Sequence, residues 1–138
     1  MDAGTTLRLG DIMSTPVIAL TPTATVDEAI TLMLMRGYTT LPVVAEDGHL
    51  LGMVTEFEVG LARFGDGESG PVSTIMKRPP VAVSVGGELR AVAAAMADSR
   101  TRCLPVTDGA RVVGMVSWRD LLRASNGGLR PPAGLSSS

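Results

Sequence analysis

The sequence predicts an α/β (α+β) protein made of two pseudo-symmetric repeats, each running strand-helix-strand-strand-helix, packed sheet to sheet. Three observations predict it. The chain matches itself at a fixed offset, which is the signature of a duplicated unit. Each copy switches between a helical and a strand period in the same order. Its 138 residues are 45% apolar with a single cysteine, so the chain can bury roughly two-thirds of its unfolded surface and needs no disulfide framework.

The self-match is specific. At an offset of 63, Ile12, Met13, Pro16, Ala19, Met33, Leu41, Pro42 and Val43 fall on Ile75, Met76, Pro79, Ala82, Met96, Leu104, Pro105 and Val106. After one single-residue gap, Gly52, Met53 and Val54 fall on Gly114, Met115 and Val116. The repeats are assigned to residues 8–64 and 74–124. A glycine-rich linker, 65–73, lies between them, and a Gly-, Pro- and Ser-rich stretch, 125–138, is expected to be a flexible tail.

Each copy opens with a short apolar run after a proline, Val17 to Leu20 and Val81 to Val83, expected as strands. A helical period follows: Val26, Ile30, Met33 and Leu34 share one face, as do Leu89, Val92, Ala93 and Met96. Thr25 with Glu28 reads as a capping box and Gly37 as a C-terminal stop. Two apolar runs then flank a turn, Leu41 to Val44 and Leu50 to Thr55, matched by Leu104 to Thr107 and Val112 to Ser117 around Asp108-Gly109. Asp-Gly between apolar runs is a strong hairpin signal. A shorter helix closes each copy, Glu56 to about Arg63 and Trp118 to about Ala124.

Charge divides the copies. Residues 1–70 carry 3 arginines against 10 acidic residues, a net of -7, and residues 71–138 carry 9 basic against 4 acidic, a net of +5. The whole chain is at -2, which does not favour a sequence-independent grip on nucleic acid. No window approaches the ~18 apolar residues of a membrane span, and the N-terminus lacks a signal-peptide pattern. A soluble, cytoplasmic protein is expected.

Three short motifs recur in order: Asp11-Ile12-Met13, Leu41-Pro42-Val43-Val44 and Gly52-Met53-Val54-Thr55-Glu56-Phe57-Glu58, then Thr74-Ile75-Met76, Leu104-Pro105-Val106 and Gly114-Met115-Val116-Ser117-Trp118-Arg119-Asp120. Over residues 9 to 124 the chain resembles a pair of CBS (cystathionine β-synthase type) domains, a Bateman module. The resemblance implies a regulatory rather than catalytic module, with two clefts for adenosine-containing ligands such as AMP, ADP, ATP or S-adenosylmethionine. It implies that Ser117 and Asp120 hold the sugar and phosphate and that Thr101, Arg102 and Cys103 meet the base. The expected nucleotide site is Val81, Thr101, Arg102, Cys103, Pro105, Ser117, Arg119 and Asp120. A weaker first-repeat site comprises Tyr38, Thr39, Thr40, Pro42, Thr55 and Glu58.

The chemistry is reasonable, because a carboxylate can accept both hydroxyls of a vicinal diol and a guanidinium can hold a phosphate bidentately. The plain alternative is that Ser117 with Asp120, and Thr55 with Glu58, are only helix caps. Where the second copy has Arg100, Arg102, Arg119, Asp120 and Arg123, the first has Gly37, Thr39, Phe57, Glu58 and Leu61. With Glu56 added, the first cleft is expected to repel phosphate. Arg100 and Arg123 are as readily surface charges as ligands. Cys103 reads as a packed side chain, the methionines as core filler, and Trp118 as core or partner surface.

No metal site is expected, since the single histidine, His49, has no partners at ligand spacing. No nucleophile-base constellation or phosphate-binding glycine loop is present either, so no enzyme activity and no cofactor are expected. The leading function is a stand-alone ligand-sensing module that binds an adenine nucleotide in the second cleft, forms a homodimer and acts on a separate effector protein. The alternative is a structural or dimerisation module with vestigial clefts, acting through protein contacts.

Overall fold

The computed structural model describes residues 7–65, 70–78 and 81–125; the expected tail at 126–138 lies outside them. Helix α1 (Leu9–Ile12) precedes α2 (Val26–Arg36), the hairpin β1 (Thr40–Val44) and β2 (Leu50–Thr55), and α3 (Glu56–Phe64). A 3₁₀ turn, Val72–Thr74, leads into β3 (Val83–Ser84), α4 (Leu89–Ser99), the hairpin β4 (Cys103–Asp108) and β5 (Arg111–Ser117), and α5 (Trp118–Ser125). β1 and β2 form one antiparallel sheet; β3 runs parallel to β4, which pairs antiparallel with β5 in the other. Among the described residues, no helix is long and apolar enough to cross a membrane.

Local chemistry explains the elements. Thr25 caps α2 by accepting from the Glu28 amide at 3.0 Å, while the Glu28 carboxylate accepts from the Thr25 amide at 2.9 Å. Gly37 ends the helix at φ 76°, the left-handed geometry that glycine adopts freely. The strand expected at Val17–Leu20 is reduced to a single parallel bridge, Leu20 to Val43. Its partner in the second copy forms two residues later than expected, at Val83–Ser84. The first run makes one bridge to β1, and the second a two-residue parallel pairing with β4.

The division between repeats is not where composition places it. Val72, inside the glycine-rich 65–73 stretch, is fully buried with Leu41, Val43 and Val54 of the first copy. Its amide donates to the Ala24 carbonyl at 2.7 Å. Leu9 and Ile12, at the start of the first copy, are buried instead with Met96, Leu104 and Val116 of the second. The two copies have exchanged their leading segments. Each is clamped by a reciprocal pair of main-chain bonds: Ser14 with Met115, at 2.7 and 3.1 Å, and Lys77 with Met53, at 2.7 and 3.2 Å.

A second symmetric contact joins the hairpin tips. His49 and Arg111, related by the offset of 62, face each other in an antiparallel bridge. The Leu50 amide donates to Ala110 at 3.0 Å and the Val112 amide to Gly48 at 3.1 Å. The approximate two-fold axis therefore passes through this bridge.

The repeated glycines mark where the exchanged segments cross the sheets. A Cβ on Gly52 would lie 2.6 Å from Met76 Sδ and 2.9 Å from the Lys77 carbonyl, and Met13 stands against Gly114 in the same way. The methionine can yield, but the carbonyl is held in the clamp. We expect Gly52→Ala to destabilise the chain by about 1–3 kcal/mol, measured by urea unfolding. An unchanged midpoint would show that the clamp is not rigid.

Candidate functional site

The clamps place the start of α5 beside the exchanged segment of the other copy. Between them lies a cleft of about 1090 Å³, with Ser14, Thr15, Pro16 and Ile18 on one wall and Ser117, Trp118, Arg119 and Asp120 on the other. Tyr38, Thr39 and Thr40, from the turn between α2 and β1, close a third side, and Arg36, Arg102 and Cys103 also line it. The walls combine apolar surface (Ile18, Tyr38, Met115, Trp118) with hydroxyls, one carboxylate and three guanidiniums, a composition suited to a small organic anion.

A smaller cleft of about 280 Å³ is its symmetry mate, lined by Thr55, Glu56, Phe57, Lys77, Arg100, Thr101 and Arg102 together with Thr39 and Thr40. The residues expected to act together are therefore divided differently. Thr101 does not join Asp120 but faces Thr55 in the smaller cleft, and Tyr38 does not join Thr55 but faces Asp120. Arg102, Thr39 and Thr40 border both. The reason is the segment exchange: each helix start meets the strand-leading turn of the opposite copy.

Other expectations also change. Pro42 and Pro105 are buried in β1 and β4, paired across from Met53 and Met115, and line neither cleft. Val81 is 40% exposed and also off both. Arg100 lines the Thr55 cleft, so it does not serve Asp120, whereas Arg36, which the sequence did not single out, does. Ser14, Thr15 and Ile18 were missed too; the 63-residue repeat identified their segment, but not the exchange that carries it across. The Thr55 cleft is less acidic than expected, since Lys77, Arg100 and Arg102 of the second half face Glu56 there.

Asp120 makes the helix cap and still has an oxygen to spare. The Ser117 amide and hydroxyl both donate to Oδ2, at 2.9 and 3.1 Å, and the Asp120 amide donates to Ser117 Oγ at 3.2 Å. Two bonds fill the lone pairs of Oδ2. Oδ1, with the Arg123 guanidinium at 3.8 Å, retains its acceptor capacity in a residue only 7% exposed. Glu58 repeats the cap, accepting from the Thr55 amide and hydroxyl at 2.6 Å each, but does not line its cleft. The longer side chain folds back onto the cap.

Cys103 borders the Asp120 cleft, and burial, helped by the Asp120 charge, pushes its thiol up to about 11 from an ordinary 9.0. The thiol is protonated at neutral pH and presents a small, weakly polar surface.

The comparisons agree with this architecture. A family model for the CBS domain matches residues 9–59 and 72–127. The chain is 34% identical over 113 residues to the CBS domain-containing protein YhcV of Bacillus subtilis, covering 80% of each. Of longer curated relatives, from Methanocaldococcus jannaschii and Methanohalophilus mahii among others, it spans between 20% and 41% of the length; several are homoserine O-acetyltransferases. Among solved structures, CBSX2 in complex with AMP superposes with TM-score 0.81 at 23% identity, covering 89% of this chain and 98% of that one. The CBS domain pair of MJ0100, in complex with 5′-methylthioadenosine and S-adenosyl-L-methionine, gives 0.79 at 27%, covering 88% and 97%.

Two outcomes follow. Arg100 ends α4 at φ 56°, ψ 41°, where its mate is Gly37. The left-handed conformation costs a non-glycine residue about 1–2 kcal/mol, against about 0.5–1 kcal/mol of extra glycine entropy, so Arg100→Gly should stabilise by about 0.5 kcal/mol, read in urea. The Cys103 shift works in alkali. Below pH 9 the thiol is protonated folded or unfolded; from 9 towards 11 the unfolded chain loses its proton first, so stability falls, at most by about 1.4 kcal/mol per pH unit. Cys103→Ala should remove that slope from the pH-stability curve, and an unaltered slope would contradict the assignment.

Proposed function

The chain belongs to the CBS-domain family, and from that premise we propose that it is a stand-alone regulatory module that binds an adenine nucleotide in the Asp120 cleft and signals to a separate effector protein. The carrying observation is Asp120 itself: a buried carboxylate that lines the larger cleft, whose Oδ2 is used by the cap while Oδ1, with the Arg123 guanidinium at 3.8 Å, is left with acceptor capacity. A cis-diol offers two donors at one point, which matches the two lone pairs of that oxygen. The adenosyl ligands of the MJ0100 pair support this ligand class. Tyr38, Ile18 and Trp118 supply apolar surface for a base, and the nucleotide acts as a regulatory ligand, with no cofactor and no catalytic role.

The cleft favours phosphorylated ligands. Arg36, Arg102 and Arg119 reach it from three elements, and bringing like charges together is unfavourable until an anion joins them. ATP or ADP should bind more tightly than AMP, and adenosine least. The effect should weaken with salt, since exposed charges are screened over about 8 Å at physiological ionic strength.

A homodimer completes the reading. Leu34, Met35, Leu61 and Phe64 are 81%, 77%, 58% and 90% exposed on α2 and α3, and contiguous apolar surface of this kind marks an association face. The net of -7 on the first half and +5 on the second favours a head-to-tail pair in a cytoplasmic protein, acting mainly on association rate. The same face supports the alternative of a purely structural module, which would bind no nucleotide.

Calorimetry decides between them. Replacing Asp120 with Ala removes charge-assisted hydrogen bonds worth roughly 1.5–3 kcal/mol each, so nucleotide affinity should fall by at least about tenfold, with Asp120→Asn separating lost charge from a lost cap. Equal affinity in Asp120→Ala and the parent, or adenosine binding more tightly than ATP at low salt, would overturn the assignment. Sedimentation at micromolar concentration and low salt should show a dimer, and Phe64→Ser with Leu34→Ser should shift it towards a 14.3 kDa monomer.

A further inference from the structure

The cations around the two hollows form one continuous row on the surface. Arg36, Arg102 and Arg119 border the Asp120 cleft, Lys77, Arg100 and Arg102 border its neighbour, and Arg102 belongs to both. Arg123 adjoins the row, with its guanidinium 3.8 Å from Asp120 Oδ1. All six are exposed, and the carboxylates along the row are Glu56 and Asp120 alone among the described residues. A net charge of -2 is only a sum. Clefts lined by one sign of charge focus the field, so this face attracts polyanions whatever the total.

Aromatic rings follow the same row. Three of the chain's four aromatic residues stand on it: Tyr38 and Trp118 at the larger hollow and Phe57 at the smaller. Phe57 is 69% exposed at the start of α3, a ring the core does not use. The two helix starts each pair a ring with a charge, Trp118 beside Arg119 and Phe57 beside Glu56. The row is also fixed at its main chain. Lys77 sits in the clamp with Met53, and the Arg102 carbonyl accepts from the Trp118 amide at 3.3 Å.

We propose that this face is a track for single-stranded nucleic acid, which runs along the rims of the hollows and fills neither. The cations meet successive phosphates while the rings stack on bases. A positive groove with interleaved aromatics is the combination that holds single strands with little regard to sequence. A duplex keeps its base faces stacked and out of reach of such rings. The inference stands apart from the adenine-nucleotide reading, because a strand without adenosine tests it.

The test is fluorescence anisotropy of the full chain with a labelled oligouridine of about 12 nucleotides, within the span of single-strand sites. Six phosphate contacts at roughly 0.7 each predict that log K falls against log salt with a slope of about -4. Lys77→Gln, Arg100→Gly and Arg123→Gln should each flatten that slope by about 0.7, and Phe57→Ala should weaken binding about tenfold at an unchanged slope. Arg90→Gln, on α4 and off both hollows, should change neither. Urea midpoints identify any variant that has lost its fold, and Arg100→Gly keeps the left-handed turn while losing a charge. ATP that binds should displace the strand, since both use Arg36, Arg119 and Trp118. The track is overturned by an absence of oligouridine binding, by a slope the three charge variants leave unmoved, by an equal loss in Arg90→Gln, by oligoglutamate of equal charge binding as tightly, or by a strand that bound ATP does not displace. ATP binding without oligouridine binding sinks the track and leaves the nucleotide reading intact; oligouridine binding without ATP binding does the reverse.

Discussion

Everything in this molecule depends on the reciprocal exchange of leading segments, held by the main-chain pairs Ser14–Met115 and Lys77–Met53. Neither copy has a complete core without it. Leu9 and Val72 are both fully buried, each in the core of the copy to which it does not belong in sequence. The glycines at 52 and 114 are its geometric condition, because a side chain there would strike the methionine passing over it and, at Gly52, the Lys77 carbonyl as well. A unit of about 55 residues buries too small a fraction of its surface to be robust alone, and exchange completes each of the two cores with a segment of the other copy.

The same exchange builds the clefts. Each lies where a helix start from one copy meets the exchanged segment and the strand-leading turn of the other. Residues far apart in sequence become neighbours, and two sites of the same ancestry can diverge without disturbing the core. Arg119 stands where the first copy has Phe57, Trp118 where it has Glu56, and Arg102 where it has Thr39. These positions are exposed or partly so, and substitutions there carry little packing cost.

The caps show how one local motif serves two ends. In Ser117 with Asp120 and in Thr55 with Glu58 the carboxylate accepts from the cap amide and hydroxyl, while the cap hydroxyl accepts from the Asp120 amide in one and the Phe57 amide in the other. Aspartate, one methylene shorter, closes the cap with one oxygen and lines its cleft; glutamate closes the cap and lies outside the lining. A structural requirement thus holds a cleft-lining carboxylate at fixed geometry.

Much of this was written in local sequence. The duplication, the capping box at Thr25, the αL stop at Gly37 and both hairpins follow from period, turn chemistry and repeat, which act over a few residues or by direct identity, while Ser117 and Asp120 were named by the family resemblance of their motif. The grouping of those residues did not follow. The resemblance, carried over repeat by repeat, groups Thr101 with Asp120 and Tyr38 with Thr55, and it does not single out Arg36 or the Ser14–Ile18 segment, which line the Asp120 cleft. Composition likewise marked 65–73 as linker, although Val72 is core. What the amino-acid sequence determined by itself was the set of elements and the chemistry each carries. Which copy each leading segment packs on, and hence which charges share a cleft, was decided only by tertiary structure, because both copies present nearly the same apolar surface and only the path of the chain across the two-fold axis distinguishes them.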